Sequence, residues 1–506
     1  MVTNHSLMLA RRLTVICMLA SPFLVGSVPS TAAAPLCVPG TETVDRCEAW
    51  EAVYNNEAAE SAGAFDHAGD VAASPDGKTV FVTGRSWDAA TGRLKAATVA
   101  YNAETGAQLW VDRYEGAEPE NDYLSSLAVS PDGSTVYVTG VEGMNPVGEI
   151  GDYLTVAYDA GSGGRLWTAT YDSPAAGDQD EEAHRVAVSP DGRWVYVTGQ
   201  TGSQHSNADV ATIAYEAQTG EEAWTVEFSR EPGQGEDIGV DLVATDDAVY
   251  VAGAMGTRIA AMKIGAGDPD TNSDAGRVLW STAEHRGYGY WIALSPDGSR
   301  VFVSGSDQTP TNATLGPDWD YATIALDSAT GEEVWMSTYT SPDKGLDVPY
   351  GHALSPAGDR IYVTGRAQGT AGVFDGDYAT VAFDTATGTR LWVTRFSIPG
   401  TLFETGADVA VSSDGSRVYV TGGSTAWSGH GDAITQAYNA NTGDVVWSAR
   451  NNATPDRAES GWRLVIAGSR LVVGGSTDYT IDQTDPLDQQ PGSNRTDYLV
   501  FAYDLP

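Results

Sequence analysis

The sequence predicts an all-β protein, an eight-bladed β-propeller of four-stranded antiparallel blades, and three observations carry that prediction. A turn phrase, Ser-Pro-Asp-Gly, followed closely by Val-Tyr-Val-Thr-Gly or a variant, returns along the 506 residues. It starts at Ser74, Ser130, Ser189, Ser295 and Ser355, the last as Ser-Pro-Ala-Gly, with degenerate copies at Ala244, Ser412 and Ala467. Each of the first seven copies ends on a tryptophan: Trp110, Trp167, Trp224, Trp280, Trp335, Trp392 and Trp447. With Trp50 included, successive members stand 55 to 60 residues apart. Apolar residues fall in short runs between turn signals, with no helical period.

The elements follow in order. In the first copy Val71–Ala73 opens the blade, Thr79–Thr83 follows the Pro-Asp-Gly turn, Ala97–Tyr101 is third and Gln108–Tyr114 fourth. Pro-Asp-Gly and Thr-Gly supply the turns. Four short strands at a fixed period make a propeller blade. The eighth copy has three strands (Arg463–Ala467, Arg470–Gly474 and Asp497–Asp504) and then the chain stops. Its missing strand is expected at the other end, where residues 49–54 match Trp110–Tyr114 in spacing. An N-terminal strand completing the last blade removes the open edges of the ring. The repeats use nearly the whole chain and leave no room for a separate catalytic domain.

Residues 1–33 have the layout of a secretory signal peptide: a polar start with Arg11 and Arg12, an apolar stretch from Leu13, and small residues ending at Ala33. The expected mature domain is 34–506, with a tail over 34–48 and the closing strand over 49–54. The protein is therefore expected outside the cell. Cys37 and Cys47 remain after export, and one disulfide tying the tail is expected, two free thiols or a metal-binding pair without further ligands being the alternative. Leu36 before Cys37 argues against a lipid anchor, and no other run is long and apolar enough to span a bilayer. Asp and Glu outnumber Lys and Arg by 68 to 28, a formal charge of -40. Such a surface repels phosphate backbones and anionic lipid, so neither nucleic acid nor membrane is expected as a partner. A monomer with a protein or glycan partner at the cell envelope or outside the cell is.

The phrase Ala-x-Asp-x-x-Thr-Gly-x-x-x-Trp, standing here as Ala325 to Trp335 and Ala382 to Trp392, resembles the tryptophan-docking motif of quinoprotein alcohol dehydrogenase-like, PQQ-type eight-bladed propellers. The upstream phrase is also similar to short-repeat propellers of secreted bacterial proteins. The resemblance covers nearly the whole mature chain and implies that Trp50 and the seven later tryptophans stack between neighbouring blades. It implies little about activity, since one scaffold carries enzymes and binding modules. Quinone enzymes of this type use an adjacent Cys-Cys pair and a calcium; this chain has no such pair and no Cys-x-x-Cys-His haem motif. No cofactor is expected, PQQ included. Gly-x-Ser-x-Gly, His-Glu-x-x-His and a phosphate loop are also missing, so no catalytic residue is assigned. The leading expectation is a binding or scaffold module. The alternative is a PQQ-dependent dehydrogenase or another enzyme at the channel, and a repeat protein without a dedicated ligand is the third.

Three groups are candidate sites. Eight residues before the start of each turn phrase stands an acid in seven copies: Asp66, Asp122, Glu181, Glu236, Asp347, Glu404 and Glu459. They could ring one channel mouth as a cation-attracting collar, but a feature of nearly every repeat reads better as its construction, each carboxylate accepting backbone N–H bonds. The fifth copy breaks the pattern with Gly287, and Tyr288, Tyr290 and Trp291 follow, with Tyr350 and His352 at nearby offsets in the sixth. Adjacent aromatics at a channel mouth can stack on a sugar or another flat ligand, or simply fill space. In the fourth copy Asp268, Asp270, Asn272 and Asp274 alternate like the first half of a calcium loop, making Ca2+ the candidate metal, although Ser273 stands where Gly belongs. The insert from Ser476 to Thr496 is a candidate partner-contact loop.

Overall fold

Each Ser-Pro-Asp-Gly phrase builds its turn from its own side chains. The Ser74 hydroxyl donates to Asp76 Oδ1 (2.7 Å) and accepts from the Thr79 N–H (3.0 Å). The same pair of bonds recurs at Ser130 and Ser189. The serine bond, with its neighbours, holds the Asp76 and Asp132 carboxyls down to about 2. These turns set the hairpins in a computed structural model that describes residues 48–54, 66–88, 90–116, 120–144, 151–173, 181–202, 208–230, 236–309, 318–342, 345–368, 376–398, 401–426, 431–451, 457–479 and 495–505. The signal segment, Cys37 and Cys47, the tail up to residue 47 and residues 480–494 of the blade-eight insert lie outside the described residues.

Thirty-two strands are found among the described residues. Blade one pairs β2 (His67–Ala73), β3 (Thr79–Asp88), β4 (Arg93–Asn102) and β5 (Gln108–Tyr114) in sequence order. Blades two to seven repeat this with β6–β9 (121–171), β10–β13 (182–228), β14–β17 (237–282), β18–β21 (287–339), β22–β25 (348–396) and β26–β29 (401–451). One parallel bridge, Gly376 to Phe403, also links blades six and seven. Blade eight takes β30 (Arg457–Ala467), β31 (Arg470–Tyr479) and β32 (Arg495–Asp504), and its fourth strand is β1 (Glu48–Tyr54), antiparallel to β32 with Trp50 opposite Ala502. The first strands of successive blades touch one another in a closed ring, β30 meeting β2, and so define a central axis.

Blades are held together by apolar layers between them, such as Phe81 and Trp110 packed with Val138 and Tyr158 of the next blade. The tryptophans fix the spacing. Trp110 Nε1 donates to the Ala160 carbonyl of the following blade (2.9 Å), and Trp167, Trp224, Trp280, Trp335 and Trp392 bond likewise across their own seams at 2.9–3.1 Å. Trp447 packs on Tyr503 of blade eight at 5.6 Å between ring centroids. The Thr-Gly of each copy serves the seam before it. Gly106, at φ +70°, lies against the Trp50 ring so closely that a Cβ would stand 2.5 Å from it. Trp50 itself donates to the Ala103 carbonyl (2.9 Å), so the closing strand docks on blade one by the same device as the other blades.

The closing seam is expected to weaken towards alkaline pH. Burial, together with the carboxylates of Glu51 and Glu459, raises Glu48 from 4.5 to about 8. A carboxyl that holds its proton more tightly folded than unfolded contributes stability below its unfolded value, and that contribution is lost as pH rises through the folded one. Glu48→Gln is therefore expected to melt with the wild type at pH 5 and above it at pH 9. A melting difference equal at both pH values would contradict this origin.

Candidate functional site

The first strand of every blade slips register by one residue at the same place. The slips fall between Ala68 and Asp70, Leu124 and Ser126, Ala183 and Arg185, Gly239 and Asp241, Gly289 and Trp291, Pro349 and Gly351, Gly406 and Asp408, and Gly461 and Arg463. The glycine of Val-Thr-Gly on the second strand makes the bulge fit. A Cβ on Gly84 would stand 2.0 Å from the His67 carbonyl oxygen, and one on Gly305 would stand 2.1 Å from that of Tyr288. A bulge bends the strand and re-aims its side chains. Here the bulged residues are Gly69, Ser125, His184, Val240, Tyr290, Tyr350, Ala407 and Trp462, and all but Gly69 line one cavity of about 690 Å³ on the axis.

The residue after each bulge forms a ring at the floor: Asp70, Ser126, Arg185, Asp241, Trp291, Gly351, Asp408 and Arg463. Its carboxylates stitch blades together. Asp70 accepts from the Leu127 N–H (3.1 Å), Asp241 from Ile292 (2.9 Å) and Asp408 from Leu464 (2.9 Å), each on the following blade. Arg185 Nε donates to Asp241 (2.7 Å), with Asp70 3.4 Å from its Nη1. Burial opposes the charge on Arg185, but Asp241 and Asp70 outweigh it and raise the group. Arg463 Nε lies 3.8 Å from Asp70. Both guanidiniums lie over the Trp291 ring, 5.3 Å and 5.0 Å from its centroid. Burial pushes the Asp408 carboxyl up. His184 Nδ1 lies 2.9 Å from the Gly239 carbonyl; burial works against its charge, and Glu182 with that carbonyl more than offsets it, raising the imidazole.

Of the aromatic group expected from the sequence, Tyr290, Trp291 and Tyr350 meet in this cavity. His352 lies behind Trp291, 6.3 Å between ring centroids, with Nδ1 3.1 Å from the Ser304 hydroxyl. Burial lowers it to about 4, so it is neutral at pH 7. Tyr288 stands apart. Its equivalents Val348, Thr405 and Ser460 line the cavity, whereas Tyr288 stacks on Trp319 at 5.8 Å. His184, Arg185, Trp462 and Arg463 were not anticipated. The signal for them was the pair of adjacent positions that changes residue type from blade to blade inside an otherwise repetitive strand.

The repeated acids do not line the cavity. Asp66, Asp122, Glu181, Asp347, Glu404 and Glu459 are buried. Asp122 accepts from the N–H groups of Gly116 (2.9 Å) and Gly143 (3.0 Å), Asp347 from Ser341 and Gln368, and Glu404 from Ile398 (3.1 Å). Asp122 and Asp347 tie the entry of their blade to the end of its second strand and to the chain leaving the preceding blade, and Glu404 to the chain leaving the preceding blade. In blade four Asp237, not Glu236, takes this place, accepting from Arg230 and Gly256 at 2.8 Å each. The turn there starts at Thr245, whose hydroxyl donates to Asp247, one residue later than Ala244 suggested. In the blade-four insertion Asp268 and Asn272 bond within their own turn. Asp268 Oδ1 accepts from the Asp270 N–H (2.8 Å), Asn272 Oδ1 from that of Asp274 (3.1 Å), and Asn272 Nδ2 donates to the Ala266 carbonyl (2.7 Å). Among the described residues one acidic group converges, Asp152, Asp172 and Glu181, with ligand atoms within 4.8 Å of one another.

Ring closure, blade-docking tryptophans and an axial cavity define an eight-bladed β-propeller whose concave site lies on its axis. Residues 95–272 and 268–485 match the PQQ_2 family, described as outer membrane protein assembly factor BamB, and the chain belongs to that family. No curated protein matches it in sequence. Among solved structures it is similar to Chaetomium thermophilum Sqt1 bound to the N-terminus of ribosomal protein L10, with 14% identity, TM-score 0.52, and 87% of this chain and 98% of that one covered. Quinohemoprotein alcohol dehydrogenase ADHIIG from Pseudomonas putida HK5 is similar at 13% identity and TM-score 0.49, covering 85% of this chain and 73% of that one. BamB from Moraxella catarrhalis is similar at 16% identity and TM-score 0.44, covering 86% and 96%. These likenesses concern the fold.

Proposed function

We propose that the chain is an exported binding module whose ligand, a glycan of the cell envelope, docks in the axial cavity. The observation that carries this is the convergence of Tyr290, Tyr350 and Trp462, from blades five, six and eight, on one concave surface that the repeat would otherwise make uniform. Tyr350 and Trp462 are 40% and 38% exposed, available to stack on a ring. The signal-like segment at 1–33 and the strongly acidic composition support export. The family description, an assembly factor, agrees with a scaffold rather than a catalyst.

The residues do not fit a quinone stacked at the axis. The Trp291 ring already carries two guanidiniums, and no cysteine stands among the described residues to form an opposing wall. Among those residues no helix is long and apolar enough to cross a membrane. Purified 34–506 should be retained on cell-wall glycan, and the Tyr290→Ala, Tyr350→Ala, Trp462→Ala variant should wash through. Equal retention of both would overturn the proposal.

A further inference from the structure

A chain with 68 acidic and 28 basic residues places no carboxylate among the described residues that line its axial cavity; the basic groups there are Arg185, Arg463 and His184. The cause is directional. Each of the three carboxylates of the floor ring accepts a backbone N–H of the following blade, and Asp241 also takes Arg185 Nε; none of the three lines the cavity, whereas both guanidinium side chains do. Both arginines keep solvent access, with side chains 26% and 28% exposed. Arg463 is the less committed. Its Nη1 donates to the Trp462 carbonyl (3.2 Å), and its buried Nε, 3.8 Å from Asp70, has no hydrogen-bond acceptor among the described residues.

A guanidinium presents paired donors that match a carboxylate in one plane. Aromatic walls suit the apolar face of a sugar ring. Asp70, Asp241 and Asp408 leave the two guanidiniums of the floor no surplus of positive charge, which argues against the double charge of a phosphate monoester and for a ligand held by the paired donors of a guanidinium. We infer that the ligand is an acidic saccharide, a sugar ring bearing a carboxylate that Arg463 and Arg185 hold while the ring lies against Tyr290, Tyr350 and Trp462. This rests on the axial cavity being the glycan site. It also explains how so acidic a protein can take an anionic ligand: the carboxylate meets the two arginines inside a concave site rather than the repelling outer surface.

The test is calorimetric titration of residues 34–506 with oligomers of galacturonate, glucuronate and mannuronate, each beside its methyl ester and beside a neutral maltooligosaccharide. The expected result is saturable binding of at least one uronate, at least tenfold weaker for its ester. Arg463→Met should bring acid and ester to within about twofold, with the melting temperature measured alongside. If Arg463→Met fails to fold, the acid-to-ester ratio of the wild type decides alone. Equal binding of acid and ester, or binding of the neutral oligomer only, overturns the acidic ligand and leaves the axial glycan site standing. An acid preference that survives in folded Arg463→Met also overturns the assignment. Binding of no saccharide, together with no retention on cell-wall glycan, overturns both.

Discussion

Asp70→Ala should lower the unfolding free energy by about 3–5 kcal/mol, the cost typical of removing one partner from a buried charged network. Asp70 is 7% exposed and carries more of the axis than any other side chain in the ring. It accepts from the N–H groups of Val71 (2.9 Å) and Leu127 (3.1 Å) and from the Ser126 hydroxyl (3.2 Å), and both Arg185 and Arg463 reach towards it. Truncation leaves the Leu127 amide without its acceptor and leaves the two guanidiniums with one carboxylate fewer to offset their repulsion. Asp70→Asn keeps acceptor capacity but not charge, and should fall between wild type and Asp70→Ala. Urea unfolding followed by intrinsic fluorescence measures all three. A loss below about 1 kcal/mol for Asp70→Ala would show that the ring is surface-like, where ion pairs contribute little.

The second large effect is expected at the closing seam. Trp50→Ala should cost about 3–5 kcal/mol, the usual range for a buried tryptophan. Trp50 is 4% exposed, bonds to Ala103 and covers Gly106, so its loss strips both the seam and the strand that seals the ring. Loosening β1 also uncovers the edge of β32, which invites pairing between chains. Trp462→Ala is the matched control: the same residue type, 38% exposed in the axial cavity, should change stability by no more than about 0.5 kcal/mol. Equal losses at the two positions would mean that Trp462 is part of the core and not a wall of the site.

The contrast between those tryptophans shows what is legible in a repeat sequence. Trp50 could be placed because its spacing copies seven others, and the turns because Ser, Asp and Gly build them locally. The acids could be read as construction for the same reason, although in blade four Asp237 stands where counting from Ala244 pointed to Glu236. The site was only half legible. Tyr290, Trp291 and Tyr350 stood out because blade five lacks its acid. His184, Arg185, Trp462 and Arg463 sit in copies whose acid is intact, and only the one-residue bulge brings them to the axis beside the tyrosines. Tyr288 looked equivalent to its neighbours and is not, because Trp319 offers it a stacking partner away from the cavity.

The central claim is that the broken symmetry at the axis is a binding site. Its most direct test is the affinity of the Tyr290→Ala, Tyr350→Ala, Trp462→Ala chain for the glycan that the wild type retains, measured beside the melting temperature of both. The predicted result is at least a tenfold loss of affinity with melting temperatures within about 2 °C of each other, as for substitutions outside the packed core. Unchanged affinity in a folded variant would contradict the claim and move the site off the axis.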